Sequence, residues 1–523
     1  MDCFLLAQKD AELEKLTAEL EQEKAARAAL DQKYEELQQK YKRTKNAAET
    51  YKHMLFERST EKRPFEETQD ASGEETQDTP EKDADLSPKK SPKNKRKRGG
   101  QPGHKGHGRK IPQNVPIEYR FIEVPEEERF CTICDQEGEE VSLTEDSHEL
   151  DADIQIKLVV TKRKRIKFNC DCKEAGGRFV TAPKPLRAIP KSKFSHNLLS
   201  LFIVLKYLFA IPVNRILELF TLQGVQISAG SITGALAKCY LLFQPLYQEL
   251  AKASQQETQW NADETSWMSF IRRSGKNNYL TWMWCFISAK VALYIWDPSR
   301  SSKVPLNHLG KLAEGFIIAD RYGAYKKLLR LVPGLTVAFC WVHYRRDFIR
   351  AALGDKTLEP WAEKWQTYIG EIFHLNKARI EDPSLQKELE KAIEKMKKTI
   401  DSELTDPTLT TAQEKVLKSA KKHWAGLTVF VANPQVPMDN NLAERKLRVA
   451  ALGRKNYYGT HADWSSHFTA ICMTLLQTAR LHGLNPQAYL RYYLDGCAQS
   501  GGAPADLTPY LPWNVNPETL EGK

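Results

Sequence analysis

The 523-residue sequence predicts a multi-domain α+β protein. Three observations predict it. Apolar residues follow a heptad near the start, two close cysteine pairs bracket an alternating apolar run, and beyond residue 255 the apolar period changes from three-and-four to two before strand and helix signals alternate. With 41% hydrophobic residues the chain can bury several cores. The longest apolar region, Leu198 to Val213, is too short to span a bilayer and is interrupted by Lys206, and no apolar core follows a basic start at the N-terminus. The ten cysteines show no disulfide-framework spacing, so a reduced compartment is expected: cytoplasmic, with no membrane contact.

Residues 1–60 are expected to form a coiled coil. One seam row runs Leu6, Leu13, Leu20, Arg27, Tyr34, Tyr41, and the other includes Leu16, Leu30, Leu37 and Tyr51, with few breaks over several heptads. Residues 61–88 read as a disordered acidic linker, because Glu61 to Asp85 holds ten acids against three bases and repeats "EETQD". The sign reverses over 89–112. Lys89 to Lys110 carries ten Lys and Arg and no acid. The run Lys95, Arg96, Lys97, Arg98 leads into glycines that alternate with His and with Lys105 and Arg109 and let a backbone approach phosphates, which points to a DNA-binding segment.

In residues 113–190, Cys131-x2-Cys134 is followed 35 residues later by Cys170-x-Cys172. Four thiolates suit a tetrahedral Zn²⁺, and the run "IQIKLVVTKRKRIKFNC" between them reads as a strand. Residues 191–255 read as helices, with Pro212 opening one and Ser228 or Ser231 capping another. From 256 to 498, "ETQWNADETSWMSFIRR", "NNYLTWMWCFISAK" and "VALYIWD" read as a three-stranded meander, and "GFIIADRYGAYKKLL" and "LTVAFCWVHYRRDFIRAAL" each read as a strand followed by a helix. That element order is the order of an RNase H-like α/β domain, here with a helical insertion at about 356–425. Residues 499–523 are expected to be a tail.

Metal-assisted attack on a phosphodiester needs hard cations held by carboxylates that converge from different elements. Asp263 lies on the first strand, Asp320 ends the fourth, and Glu444 sits in a late helix that Asp439, Asn440 or Asn441 would cap and Gly453 would end. Glu264 and Asp347 are competing acids, although Glu264 would face the opposite side of the strand from Asp263.

The blocks "NADETSW", "ADRYGAY", "CWVHYRRDF" and "DNNLAERKLRVAALGRKNYYG" resemble, in order, the signatures of the DDE transposases of the insertion-sequence sixty-six family. "RGGQPGHKGHGR", the cysteine pairs and "LFAIPVNRILELFTLQGVQIS" resemble its N-terminal and helical blocks, so the likeness spans roughly residues 51–493. The resemblance implies that Asp263, Asp320 and Glu444 bind Mg²⁺ or Mn²⁺ and catalyse strand cleavage and transfer. It also implies double-stranded DNA partners (element ends and target), with room for accessory proteins of the element. The coiled coil would supply a homodimer or higher assembly. Arg445, Arg448, Arg454 and Lys455 then become candidate phosphate contacts beside the metals. Cys340 and His343 form a C-x2-H block for which two further metal ligands are not evident in the sequence, so orientation or packing is expected of them. The rival expectations are a catalytically silent DNA-binding protein and an RNase H-like nuclease.

Overall fold

The computed structural model describes residues 179–271, 280–310 and 313–521 continuously, residues 155–168, and isolated residues between 24 and 137. The described residues from 24 to 38 are helical, while the pairing expected of the coiled coil lies outside the described residues. So do the basic segment with Lys95, Arg96, Lys97, Arg98, Lys105 and Arg109, and three of the four cysteines, Cys131, Cys170 and Cys172. Cys134 is exposed with a free thiol.

The alternating run before the second cysteine pair yields a much shorter strand than expected. Among the described residues, only Arg165–Lys167 (β1) of this run forms a ladder, antiparallel to Phe179–Thr181 (β2), whereas Leu158, Val159 and Val160 are exposed outside it. Alternation alone does not make a strand where no neighbour supplies hydrogen bonds and a face to bury.

Three helices follow. His196–Tyr207 (α1) is capped by Ser195, Val213–Leu222 (α2) starts after Pro212, and Ala229–Gln255 (α3) is capped by the Ser228 side chain. The meander then appears as Gln259–Ser269 (β3), Leu280–Ile287 (β4) and Ala292–Asp297 (β5). After Lys303–Leu309 (α4) come Gly315–Ala319 (β6), Gly323–Leu331 (α5), Leu335–Phe339 (β7) and Trp341–Gly354 (α6). The inserted helices are Glu359–Glu381 (α7), Gln386–Glu403 (α8), Thr411–Leu427 (α9) and the short Val429–Ala432 (α10). Asn441–Tyr457 (α11), Gly459–Thr460 (β8), Asp463–Leu481 (α12), Pro486–Ser500 (α13) and Glu518–Glu521 (α14) complete the order.

The described strands form a mixed sheet in the order β5-β4-β3-β6-β7, with β8 beside the end of β3. The β3-β4-β5 pairs are antiparallel, and β3-β6 and β6-β7 are parallel. One face packs Trp260, Trp284 and Ile317 against α5 and α6, and the insertion extends that same core through Trp365, Ile369, Met396, Ile400 and Leu417. The opposite face packs Trp267, Met283, Cys285 and Tyr294 against α11 and α12. Helix α12 also closes the sheet edge. Thr474 and Thr478 accept hydrogen bonds from the backbone N–H groups of Tyr294 and Ala292 at 2.9 and 3.2 Å, which occupies donors that would otherwise invite another strand.

Two expectations change. Helix α11 runs through Gly453 to Tyr457, since Gly453 is buried inside the helix with its Cα against the Tyr457 ring, and the chain turns only at Tyr458, at φ 64°. Residues 499–521, expected as a tail, pack: Val515 and Leu520 are buried, Tyr489 Oη donates to the Tyr510 carbonyl at 2.8 Å, and Arg491 donates to the Leu520 carbonyl at 3.1 Å. No helix among the described residues is long and apolar enough to cross a membrane.

Candidate active site

Strand β3 alternates its side chains across the sheet, and this separates two adjacent acids. Glu264 shares a face with Ala262 and Trp284 and is nearly fully buried, whereas Asp263, opposite Cys285, faces the α11 side and is partly buried. Glu264 is fully engaged. Its Oε1 accepts from Arg300 at 2.6 and 2.8 Å and its Oε2 accepts from the Tyr325 hydroxyl at 2.8 Å. Arg300 is sandwiched between the rings of Trp282 and Tyr322, at 4.6 and 4.0 Å from their centroids. Burial raises the Glu264 carboxyl above the usual carboxylate range, and Tyr325 and Arg300 oppose that shift.

Asp263 forms no such ion pair among the described residues. Its Oδ1 accepts from the Glu264 backbone N–H at 2.9 Å, and its pKa is pushed up to about 8, first by burial and then by the charges of Glu264, Asp320 and Glu444. Asp320 follows β6 directly, and its Oδ1 accepts from the Tyr322 N–H at 2.9 Å, forming the turn that opens α5. The Tyr322 hydroxyl donates to the Arg300 carbonyl at 2.8 Å, so the Asp320 turn and the Glu264 ion pair share one support.

Glu444 lies in the first turn of α11. Its Oε2 is 3.4 Å from Arg346 Nη2, and its Oε1 is 3.6 Å from His343 Nδ1. Burial, and the neighbouring Arg346, depress the His343 imidazole below its ordinary value, against the attraction of Glu444. Asp347, the other competing acid, is ion-paired to Arg321.

Sequence alone did not reveal how α11 is fixed to the sheet. Asn440 stands at the capping position without a side-chain capping bond. Its amide instead donates to the Ala262 carbonyl at 2.8 Å and accepts from Asn261 Nδ2 at 3.0 Å, inside the core. Its backbone N–H donates to Cys340 Sγ at 3.3 Å, and the Trp341 N–H donates to the Met438 carbonyl at 2.9 Å. The segment before Glu444 is thereby tied to β3 beside Asp263 and to the end of β7. The only local signal was the "DNN" triplet, which reads as a cap.

Helix α11 buries Ala443, Leu447 and Ala450 and exposes Arg445, Arg448 and Lys455. Arg454 is different: its guanidinium donates to Thr265 Oγ1 at 3.1 Å, the Ser266 carbonyl at 2.8 Å and the Ser266 hydroxyl, binding α11 to β3.

A mixed-sheet α/β domain with partly buried carboxylates beside an exposed basic helix face is an arrangement suited to the processing of nucleic acid. A family model described as the transposase IS66 family matches residues 191–467, just over half of the chain, and the chain belongs to that family. Similar proteins of Sinorhizobium fredii (strain NBRC 101917 / NGR234) include uncharacterized protein y4jD, 24% identical over 77% of this chain and 81% of its own length, and uncharacterized protein y4hP, 25% identical over 77% and 76%. A third, uncharacterized protein y4qI, is 23% identical over 70% of each chain.

Proposed function

We propose that this transposase is a DDE enzyme that binds the ends of an insertion sequence and carries out strand cleavage and strand transfer by phosphoryl transfer, with Asp263, Asp320 and Glu444 as ligands of two Mg²⁺ or Mn²⁺ ions. The observation that carries the reading is the placement of Asp263, partly buried on the α11 face of β3, where burial and then the like charges of Glu264, Asp320 and Glu444 raise it to about 8. A cluster that repels itself in this way is stabilised by hard divalent cations, and oxygen-only donors suit them. The strand order β5-β4-β3-β6-β7, three antiparallel strands followed by two parallel ones, supports the RNase H-like assignment.

Bound metals would activate the attacking oxygen and stabilise the leaving one. The chain's own part is to hold the three acids on separate elements. Asn440 clamps α11 to β3, the Tyr322 turn orients Asp320, and Arg300 with Tyr325 keeps Glu264 out of the cluster. The exposed Arg445, Arg448 and Lys455 are placed to take DNA phosphates, and Arg454 serves by holding the helix that presents them. In the same proposal the coiled coil joins two subunits, the basic segment and a Zn²⁺ held by Cys131, Cys134, Cys170 and Cys172 grip DNA, and the protein works in the cytoplasm.

The test is full-length protein with end-containing DNA and Mn²⁺, together with the element's accessory proteins. Cleavage at the ends supports the reading. Binding without cleavage would favour a silent DNA-binding protein, and cleavage of unrelated RNA–DNA hybrids but not of ends would favour a nuclease.

A further inference from the structure

Cys340, His343 and Glu444 bring a sulfur, an imidazole nitrogen and a carboxylate oxygen to one place, all within 4.8 Å of one another. Cys340 is the residue joining β7 to α6, His343 lies three positions on in the first turn of that helix, and Glu444 comes from the first turn of α11, about a hundred residues later. The third ligand that the C-x2-H block lacked in sequence is therefore supplied by the fold.

Two of these atoms are in an unusual state. His343 Nδ1 and Glu444 Oε1 are both shut off from water with no hydrogen-bond partner, although they face each other at 3.6 Å. That separation is too long for a hydrogen bond. It is close to the edge of a tetrahedral zinc site, about 3.4 Å when metal–nitrogen and metal–oxygen distances are about 2.0–2.1 Å.

We propose that Cys340, His343 and Glu444 form a binding site for a soft or borderline divalent ion of the zinc class, with a fourth position open to water. A sulfur, nitrogen and oxygen donor set selects such an ion over magnesium, and so separates this site from the all-carboxylate cluster that Asp263 and Asp320 build. The surroundings suit it. The Asn440 N–H, already donating to Cys340 Sγ at 3.3 Å, would support a thiolate there, and Arg346 at 3.4 Å occupies the other oxygen of Glu444, which leaves Oε1 for the ion. Coordination would release the Cys340 thiol proton to solvent, so binding strengthens with rising pH. If Glu444 is also the third acid of the hard-cation cluster, an assignment that rests on the function proposed above, an ion here draws its carboxylate toward α6. Zinc then opposes the magnesium-dependent reaction.

The experiment is Co²⁺ titration of the chelator-stripped full-length protein without DNA, with bound ions counted by dialysis and absorption followed at the ligand-field and sulfur-to-cobalt bands. Ions at the four-cysteine cluster are common to every variant, so the difference between proteins is what counts. His343→Asn and Cys340→Ser should each bind one Co²⁺ fewer than wild type, with Cys340→Ser also losing sulfur-to-cobalt intensity, while Asp263→Asn, whatever it loses at the carboxylate cluster, keeps the full sulfur-to-cobalt intensity of wild type. His343 is partly exposed and carries the result alone if the buried Cys340→Ser fails to fold by circular dichroism. Equal counts in wild type and His343→Asn would overturn the proposal, and so would a loss of sulfur-to-cobalt intensity in Asp263→Asn. Because no DNA is present, these outcomes are independent of whether the protein cleaves element ends.

Discussion

The two faces of β3 treat neighbouring carboxylates in opposite ways. On the face packed against α5 and α6, Glu264 is buried with a guanidinium and a phenol bound to its oxygens; on the face toward α11, Asp263 feels the charges of Asp320 and Glu444 as well as that of Glu264 and forms no ion pair among the described residues. Asp263 is partly buried and Glu264 nearly fully so, yet burial raises both carboxyls, so burial alone does not set them apart. What distinguishes them is compensation: a buried charge that the fold neutralises is part of the fold, and one that it leaves repelling its neighbours is the candidate for a ligand.

The largest effect that could break this contrast is catalytic. On the proposed mechanism Asp263→Asn should lower strand cleavage at element ends by on the order of 10³-fold while DNA binding survives, because it would remove a metal ligand from the transition state. Glu264→Gln should leave cleavage within a few fold when assayed where the variant is folded. Equal losses in both would erase the distinction.

Next comes stability against pH in metal-free buffer. With Asp263 near 8 in the folded protein and in the ordinary carboxylate range when unfolded, the native state holds more protons between those values, so stability falls as pH rises from about 4 to about 8. Denaturant unfolding in chelator at pH 5 and pH 8 should show that fall, with Asp263→Asn shallower than wild type and added Mg²⁺ restoring stability at pH 8. A pH dependence identical in wild type and Asp263→Asn would contradict the assignment of the shift.

On the other face, Glu264→Ala should cost about 3 kcal/mol by leaving the Arg300 guanidinium without its buried partner, measurable as a shift in the denaturation midpoint at unchanged slope. Asn440→Ala should cost about 2 kcal/mol for its two buried side-chain bonds. It should also weaken Mn²⁺ binding, because α11 is then tied less firmly beside Asp263. The smallest effect belongs to the helix surface. Arg448→Ala should reduce the salt dependence of DNA binding by about one phosphate's worth, a slope change of about 0.9, and an unchanged slope would remove Arg448 from the interface.

The sheet was legible because its signals are local. Alternation in "NADETSW" and in "YLTWMWCFI", and short apolar runs ending in Asp320 and Cys340, place the strands and the first two acids without tertiary knowledge. Helix α11 and the helical insertion were legible for the same reason. The attachments were not. The Asn261–Asn440 bond spans 179 residues and the Arg454 contacts to β3 span 188 and more, so nothing near either residue in the sequence announces them. Arg454 read as a DNA contact because an arginine beside a candidate site looks the same whether it faces phosphate or the chain's own carbonyl. Gly453 read as a helix end because propensity favours it there, yet the contact of α11 with the sheet carries the helix one turn further. The apolar run before β1 shows the reverse case, where a local strand signal found no partner.

The most direct test of a two-metal carboxylate site is electron paramagnetic resonance of Mn²⁺ bound to full-length protein with uncleaved end DNA. The account predicts a spin-coupled Mn²⁺ pair in wild type that disappears in Asp263→Asn, Asp320→Asn and Glu444→Gln while DNA stays bound. A coupled pair that survives all three substitutions, or a wild-type complex that binds only isolated Mn²⁺, would contradict it.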